Sequence, residues 1–599
     1  MKKYIIIVCI VSCIAACKKD YLDRFPQTAI SPQLFFKTQN DLDLYINGLL
    51  SLPGSDGIYV NGDDATTDDY GNISTFTLAS VMQGTINANN VPNYWVWSRL
   101  RDINYFLDNY QTADVSDDIK NHYVGLARLY RAQFYMTMVQ RYNNVPWYSH
   151  TLDPSDTTAL YKPGDPRSLV VDSIMADLDF AATHVSESVP QGTPGLWAAK
   201  SYYARYALYE GTYRKYHPEL NLQSTADSYL QVAKQQADDI ITSGSFSLDP
   251  NFSDLFNSTD LSGNSEVILN QAYDGSVQGS GAGNNTVNGN QIYGVQFPSR
   301  DLMQQFGMND GSKFTAKPGY DTMQFVGEFK NRDPRLYVTY FYPGFAKAVS
   351  SGTPEPYVAV LGTGKSGYYQ LKGYINNTDG IAIANVDVPI IRYAEILLIY
   401  AEASAESGTL TQADIDNTIV LIRNRAGLTN PELNMAAANA SPDPLLAAKY
   451  PKVSGTNKGI ILEIRREKRV EFALEGQRYD DLFRWAAGPT AIAPYPEGLY
   501  FPGLGKYDLT GDGVEDIQLL DESTPIPSPG ENNSLGVPLI YYQVSSFGNN
   551  GNVWLKNGHS GATVTGGNPR IFTEPQYYYL PIPASEIALN PNLEQVFGW

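Results

Sequence analysis

The sequence is poor in the residues that most often build catalytic and metal centres. Its 599 residues include five histidines and three cysteines, and all three cysteines lie within the first 17 residues. The chain also has no Ser-His-Asp elbow, no His-Glu-x-x-His motif and no phosphate-binding loop. These absences argue against a histidine-based active site and against nucleotide-driven transport by the chain itself.

Long apolar runs and net positive charge are missing as well. Beyond the N-terminus no run of 18 apolar residues occurs, so the sequence predicts no membrane-spanning helix. The formal net charge is −20 at neutral pH. A polyanion of this kind repels nucleic acid and gains nothing from charge at an anionic lipid surface. We therefore expect no nucleic-acid partner.

The N-terminus carries the clearest signal that is present. Lys2 and Lys3 precede a short apolar segment that is too short to cross a bilayer as a helix, and the segment ends in Ile14-Ala15-Ala16-Cys17. This spacing resembles a bacterial lipobox, in which cleavage leaves the cysteine as the acylated N-terminus. The alternatives are an ordinary secretory signal and a short buried helix. We predict that residues 1–16 are a signal peptide and that Cys17 is lipidated.

Lipidation would decide where the protein works. Several acyl chains on one cysteine anchor a domain stably, whereas a single chain does not. The charged stretch Lys18-Lys19-Asp20 follows at once and resembles the export signal of surface lipoproteins in Bacteroidetes. The expected location is the cell outer membrane, with the protein on its extracellular side.

Apolar periodicity and small residues predict a mainly α-helical fold. Alanines at 198, 199, 204 and 207 allow helices to approach closely, and helix pairs of this size are typical of tetratricopeptide repeats. The segment 488–569 is rich in Gly, Pro, Asn and Tyr, which favours loops and small β-hairpins over the helical scaffold. Helices are predicted over 121–142, 168–184, 196–216, 226–242, 392–407, 412–426 and 458–475.

Several segments along the chain have a distinctive sequence: 131–135, 145–146, 331–336, 387–403, 422–428, 465–485 and 579–591. In this order they resemble the SusD/RagB family of nutrient-binding outer-membrane lipoproteins, although the usual family ending is altered here to Gln595-Val596-Phe597-Gly598-Trp599. The resemblance covers essentially the whole chain. It implies a SusD-like fold with an N-terminal helical region over 17–260 and a loop-rich C-terminal region over 261–599, in one compact unit.

Charged pairs within these matching segments look like scaffold. Residues three apart on a helix lie on one face, so opposite charges at that spacing are able to pair. The Asp-Pro step at 333–334 indicates a turn rather than a catalytic site. We expect such segments to identify the family without locating its ligand. The predicted pairs are Arg392–Glu395, Glu463–Arg466 and Lys468–Glu471.

One loop has the spacing of a calcium site. Gly513 would take the sharp turn, but Leu519 replaces the bidentate glutamate of an EF-hand and no helix obviously flanks the loop. A polar turn at Asp512-Gly513 is the alternative. The predicted oxygen ligands of a structural Ca²⁺ are Asp508, Thr510, Asp512, the Val514 carbonyl and Asp516.

Glycan contact needs aromatic faces for sugar rings and planar polar groups for hydroxyls. Trp95 and Trp97 alternate just before a predicted helix that holds Asn104. The resemblance implies that starch-binding members of the family carry sugar-stacking tryptophans near this position. We predict Trp95, Trp97 and Asn104 as ligand contacts and prefer Trp95, because Trp97 is equally compatible with the start of a core helix. Tyr293 is a further candidate.

An acidic loop near Tyr70 has two interpretations. Asp63, Asp64, Asp68 and Asp69 offer oxygen atoms to sugar hydroxyls or to a cation, but a solvated loop has the same composition.

The resemblance implies a surface protein that binds an oligosaccharide without catalysis and delivers it to a SusC-like TonB-dependent transporter. Two alternatives remain open. The cargo is a peptide if the chain follows RagB-like members. The protein is a surface glycoside hydrolase if two of its 63 acidic residues form a catalytic pair, since pairs of carboxylates arise by chance in so acidic a chain.

Overall fold

The computed structural model describes residues 35–53, 58–59, 62–72, 77–273, 287–288, 296–349, 352–376 and 386–599. The predictions at Cys17 and Tyr293 lie outside these residues. Within the described ranges, no helix combines the length and the apolar character that crossing a membrane requires.

Helices dominate the N-terminal half and the middle of the chain. In chain order they are α1 Gln39–Leu49, α2 Thr77–Met82, α3 Ser98–Asn109, α4 Asp117–Tyr142, α5 Thr157–Leu160, α6 Arg167–His184, α7 Leu196–Tyr216, α8 Ala226–Ser243, α9 Asp254–Asn257, α10 Arg300–Gln305, α11 Phe325–Glu328, α12 Leu336–Thr339, α13 Tyr393–Glu406, α14 Gln412–Asp416, α15 Ile419–Arg425, α16 Met435–Ala440, α17 Pro444–Lys449, α18 Lys458–Glu471, α19 Arg478–Arg484 and α20 Ala584–Leu589.

Local chemistry explains where the longest helix begins and ends. The Ser116 side chain accepts a hydrogen bond from the N–H of Ile119, and Asp117 and Asp118 place negative charge against the N-terminal end of the helix dipole. The helix ends at Asn143, whose φ of 63° is a left-handed conformation that asparagine tolerates. Helix α4 is buried on most faces, as its sequence predicts.

The pair α7 and α8 shows why small residues recur in this half. A Cβ atom placed on Gly211 of α7 would lie 2.9 Å from two side-chain carbons of Leu230 on α8. The two helices therefore approach more closely than any larger residue at position 211 would allow. Helix α8 ends at Gly244, which adopts a left-handed φ of 66°.

Short strands are spread through the described part of the chain. They are β1 Tyr70–Asn72, β2 Val267–Gln271, β3 Gln296–Pro298, β4 Ala346–Lys347, β5 Glu355–Pro356, β6 Val388–Arg392, β7 Glu497–Phe501, β8 Gly505–Tyr507, β9 Ile517–Asp521, β10 Ile540–Ser545, β11 Val553–Trp554 and β12 Gly561–Val564. These strands form five small sheets, in which β1 pairs with β3, β2 with β6, β4 with β5 and β7 with β12, all antiparallel.

The segment 488–569 contains more than the expected hairpins. Strands β11, β10, β9 and β8 form one four-stranded sheet in that order. The β8–β9 pair is antiparallel, but β9–β10 and β10–β11 are parallel. Parallel neighbours usually need a long crossover connection; residues 522–539 supply one between β9 and β10, whereas the short connection 546–552 joins β10 to β11.

Two predicted helices are shorter than their sequence pattern. The segment 412–426 is divided into α14 and α15, because Thr418 leaves the helical region with φ −130° and ψ −81°. The helix predicted over 458–475 ends at Glu471, and Leu474 then adopts a left-handed φ of 62°. This reversal carries Glu475 back toward Arg392.

Two apolar clusters make up the core. The first joins the N-terminal helices to α13, α18 and the last residues of the chain, so both halves contribute to it. The second lies among β3, α10–α12 and the sheet of the C-terminal half.

A network of buried charges lies where α13 and α18 meet their neighbours. Arg392 binds Glu471 at 3.0 Å and Glu475 at 2.9 Å, and Arg425 binds Glu266 at 2.7 Å. Glu471 is fully buried and also accepts hydrogen bonds from Arg335 and Arg425. We call the set the charged junction; its members are Glu266, Arg335, Arg392, Arg425, Glu467, Glu471 and Glu475.

The predicted i, i+3 pairs are mostly wrong. Glu463 and Arg466 do pair. Arg392 instead joins the charged junction, while Glu395 binds Arg205 at 2.6 Å. Lys468 binds Asp481 at 3.0 Å rather than Glu471. The general expectation that these charges join helices is confirmed, but their partners come from other elements because the helices are buried on nearly every face.

Candidate functional site

A cleft of about 720 Å³ lies between the start of α3, the segment 146–161 and the C-terminal helix α20. It brings together three of the predicted ligand residues, Trp95, Trp97 and Asn104. We call it the tryptophan cleft. Its volume falls within the usual range of about 300–1,000 Å³ for ligand pockets.

The two tryptophans are not equivalent. Trp95 is only 7% exposed and packs edge-on against Tyr142, with ring centroids 4.9 Å apart. Trp97 is partly exposed at the N-terminal boundary of α3, and Tyr148 holds it by an edge-to-face contact at 5.7 Å. The preference for Trp95 is therefore not supported by burial. Trp97 has more of its ring available to a ligand.

The sequence predicts Asn104 as a ligand contact, but in the structure its amide group is hydrogen-bonded within the protein. Its side chain is buried, and its amide nitrogen donates to the carbonyls of Tyr148 and His150 at 3.0 and 3.2 Å. Arg131 donates to the other end of the same amide and is itself held by Asp177. Asn104 thus positions the segment that forms one wall of the cleft, so that the wall is already ordered without a ligand.

Few charged groups face the cleft. Arg101 lies one helical turn after Trp97 and lines the cleft, and its guanidinium forms no hydrogen bond or ion pair with the described residues. His150 is held at the rim by Asp108, with 2.6 Å between Nδ1 and Oδ1. Glu586 lines the opposite side, where its carboxylate accepts a hydrogen bond from Asn93 at 2.9 Å.

The C-terminal wall is mainly apolar. Leu589 of α20 is 68% exposed, and Leu593 lies beneath it. Asn590 and Asn592 attach this segment to the carbonyls of Lys162 and Tyr161. Sequence reasoning missed this wall, together with Tyr148 and Tyr161. The residues from 579 onward were noticed only for their family resemblance, and no local pattern placed them beside Trp97.

The cleft presents both apolar faces and polar groups. It offers a tryptophan ring, tyrosines, one unpartnered guanidinium and backbone polar groups. Of its described lining residues, Glu586 alone carries a carboxyl group. Hydrolysis of a glycosidic bond by the usual route needs two.

The acidic loop is neither a solvated loop nor an open site. Asp68 is buried and binds Arg478, Lys449 and Arg469. Burial alone would raise the pKa of Asp68, but these three cations hold that pKa well below its usual value. Asp64, also buried, accepts a hydrogen bond from the N–H of Tyr479 at 2.7 Å.

The pKa of Asp64 shifts in the opposite direction to that of Asp68. Burial raises the pKa of Asp64 to about 8, because none of the described cations pairs with it and the Tyr479 N–H compensates only in part. The contrast between two aspartates four residues apart comes from their partners, which the sequence did not predict.

The predicted calcium loop is closed by hydrogen bonds to its own backbone. Asp508 accepts from the N–H groups of Gly511 and Gly513 at 2.6 and 2.9 Å. Asp516 accepts from those of Leu509 and Thr510 at 2.7 and 2.8 Å. In the described part of the chain, no group of three or more His, Cys, Asp or Glu side chains is arranged as metal ligands would be. Calcium binding stays a prediction.

Comparisons with known proteins agree on one family. Residues 265–599 match the SusD_RagB model, described as the SusD family. The SusD-like protein P2 of Formosa agariphila is 23% identical over 533 residues, which cover 83% of this chain and 94% of that protein. A crystal structure of a SusD-like protein from Bacteroides fragilis has a TM-score of 0.67 at 20% identity and covers 96% of this chain and 100% of its own.

A second solved structure from Bacteroides fragilis is described as a SusD-like carbohydrate binding protein. It has a TM-score of 0.66 at 21% identity and covers 94% of this chain and 100% of its own. At such identities these likenesses show the fold.

Proposed function

The chain belongs to the SusD family, and from that premise we propose that it is a non-catalytic protein of the cell surface that binds an oligosaccharide in the tryptophan cleft. The observation that carries the proposal is the partly exposed ring of Trp97 beside the unpartnered guanidinium of Arg101. A sugar ring stacked on Trp97 would bring its hydroxyl groups within reach of Arg101 and of the ordered wall at 146–152. A relative of known structure described as a carbohydrate binding protein supports the same ligand class.

The proposed lack of catalysis rests on the same cleft. One carboxylate, Glu586, lines it, and that carboxylate is engaged by Asn93. Asp68 and Asp69 are buried against arginines. Another cavity, of about 380 Å³, does bring carboxylates together, but Asp333, Glu463 and Glu467 in its lining are each paired with an arginine.

Delivery of the ligand requires a partner. We propose that a SusC-like TonB-dependent transporter carries the ligand inward and that this protein covers the transporter from outside, tethered through a lipid on Cys17. The tether would raise the effective concentration of the two proteins for each other. Solubilised outer membranes should then yield a stable complex with a large barrel protein. Recovery of the free monomer alone under mild detergent would contradict this part of the proposal.

Calorimetry with a panel of oligosaccharides tests the binding site. We expect Trp97→Ala to weaken binding at least about tenfold, because loss of a central aromatic contact usually costs more than about 1.4 kcal/mol. Trp554→Ala is the matched control, since Trp554 is also partly exposed but lies on β11, outside the cleft. Equal losses in both variants, or none in either, would count against the tryptophan cleft.

The same samples separate the alternatives. Reducing ends released from any bound oligosaccharide would identify a glycoside hydrolase and overturn the non-catalytic proposal. Competition between oligosaccharides and peptides for one site would decide the cargo. A peptide that displaces every bound glycan with higher affinity would favour peptide uptake.

The lipid anchor has its own test. Cys17→Ser should leave the precursor uncleaved and remove the protein from the outer membrane. Metabolic labelling with a fatty acid should mark the wild type but not the variant. A variant that is still labelled would show that the lipid is attached elsewhere.

A further inference from the structure

A second cleft, of about 330 Å³, lies in the C-terminal half of the molecule. Its lining shares no residue with the tryptophan cleft, and its rings belong to the second apolar cluster. Three tyrosines line it, Tyr337, Tyr342 and Tyr374, together with one phenylalanine and two asparagines. None of its described lining residues carries a charge. We call it the tyrosine cleft.

Two tight turns each present one of these tyrosines. In the turn from Tyr342 to Phe345, the Phe345 N–H donates to the Tyr342 carbonyl at 3.1 Å, and Gly344 has φ 85° after a proline. Proline followed by a glycine with positive φ is the pattern of a type II turn. In the second turn, the Tyr374 N–H donates to the Leu371 carbonyl at 2.8 Å. Both rings are therefore held on rigid backbone.

The remaining walls are fixed as well. Tyr337 on α12 donates its hydroxyl to the Phe329 carbonyl, and its ring meets that of Tyr342 edge-to-face at 5.2 Å. Asn376 accepts from the Ala348 N–H at 2.9 Å and donates to the Ala346 carbonyl at 3.0 Å. These bonds hold β4 against the cleft, so binding would not need to order its walls.

Two hydroxyl groups in the cleft have unused hydrogen-bonding capacity. The hydroxyls of Tyr342 and Tyr374 form no hydrogen bond with the described protein, although each is one donor and an acceptor. Burial raises the pKa of both tyrosines, so both stay protonated at neutral pH. The Tyr374 side chain is largely buried, but its hydroxyl oxygen reaches solvent and is therefore open to a ligand.

We infer that the tyrosine cleft is a second saccharide-binding site, which takes one or two rings of a neutral sugar. A sugar ring has an apolar face that would pack on a tyrosine ring and hydroxyls that would pair with Tyr342 and Tyr374. The described lining residues give no counter-ion to a uronate, a sulfate or an amine. The volume, at the lower end of about 300–1,000 Å³, limits the ligand to a small part of a chain.

Saturation-transfer NMR tests the inference with the full chain in a detergent that has no sugar headgroup. The probes are maltose, cellobiose, lactose, laminaribiose and xylobiose. A Trp97→Ala background removes the contribution of the tryptophan cleft. We expect at least one disaccharide to bind this variant, and the added change Tyr342→Ala to weaken it about tenfold.

Two further variants keep the result interpretable. Tyr342→Phe keeps the ring and the packing but removes the hydroxyl, and should weaken binding about threefold. Tyr110→Ala is the control, because Tyr110 is also partly exposed but packs on Phe106 outside the cleft, and it should leave binding unchanged.

The outcomes separate this inference from the proposed function. If no disaccharide binds the Trp97→Ala protein, or if Tyr342→Ala binds as well as its parent, the tyrosine cleft is not a sugar site. Binding of short aromatic peptides that is lost with Tyr342→Ala would also overturn it, by assigning the cleft to peptide. Failure of the proposed function is a different result, in which Trp97→Ala itself leaves oligosaccharide binding unchanged.

Discussion

The helix pair α7–α8 and the charged junction are both deeply buried but are held together in different ways. The pair is joined mainly by packing of alanines, tyrosines and Gly211, with the partly exposed ion pair Lys200–Asp239 at its edge. The junction is joined by arginines and glutamates whose charges are shared among several partners. When buried apolar side chains are truncated, the loss in the free energy of unfolding grows with the volume removed. A buried ion network fails more abruptly, because each lost group leaves a charged partner unpaired.

The comparison explains why the family-matching segments identify the fold but not the ligand. Arg392, Arg425 and Glu471 lie in segments that match the family, and all of them serve the junction. The two clefts are lined largely by loops and helix ends such as 146–152 and 342–345, and the matching C-terminal segment supplies one wall of the tryptophan cleft through α20.

Removing the central carboxylate of the junction should have the largest effect. Glu471→Ala leaves Arg335, Arg392 and Arg425 without a shared partner, and we expect a loss of about 3–5 kcal/mol in the free energy of unfolding by urea titration. Glu497→Ala is the matched control, because it breaks an exposed pair with Lys556 and should cost less than about 1 kcal/mol. Similar losses in the two variants would mean that the buried ion network is no more sensitive to a lost carboxylate than an exposed ion pair.

A methyl group between α7 and α8 should have a smaller effect. Gly211→Ala forces a Cβ against Leu230, and overpacking of this kind costs about 1–3 kcal/mol. Gly48→Ala on α1 meets no atom within 4 Å and should instead stabilise the helix by about 0.5–1 kcal/mol. Thermal unfolding of both variants measures the difference. A stabilising Gly211→Ala would mean that the helices separate without cost.

The sequence predicted the helix pair α7–α8 better than the charged junction. The span 196–216 is confirmed residue for residue, because small and aromatic residues recur along it and Pro218 follows just after its last turn. Ion-pair partners were mostly missed, since Arg392 binds residues 79 to 126 positions away in the chain and no local spacing reveals them. The tryptophan cleft was found in part, through Trp95 and Trp97. Its far wall at 586–593 depends on tertiary packing.

Asp64 tests how a buried carboxyl that accepts a hydrogen bond from a backbone N–H, instead of from an arginine, responds to pH. Burial raises its pKa from an ordinary value of 3.8 to about 8 in the folded protein, so between these values the folded state keeps a proton that the unfolded state has lost, and the resulting stabilisation is lost progressively as pH rises from about 4 to about 8. Asp64→Asn should therefore gain stability over wild type, by about 1–3 kcal/mol more at pH 8.5 than at pH 5.5. Asp114→Asn makes the same substitution at an exposed site and is the reference variant. A pH-independent difference for Asp64→Asn would mean that its carboxyl is ionised throughout.

The carboxylates of the predicted calcium loop are paired with backbone N–H groups rather than with arginines. We expect the smallest change in stability from this loop. Asp508 and Asp516 are balanced by backbone N–H groups, so the loop is already closed and an ion would add only its own binding energy. A metal that binds the native state alone stabilises it by mass action, about 1.4 kcal/mol at ten times Kd. Thermal unfolding in calcium against chelator should show that rise in the wild type and not in Asp508→Ala. Identical melting temperatures, with no calcium found by metal analysis, would make residues 508–516 a turn that is stabilised by its own amides.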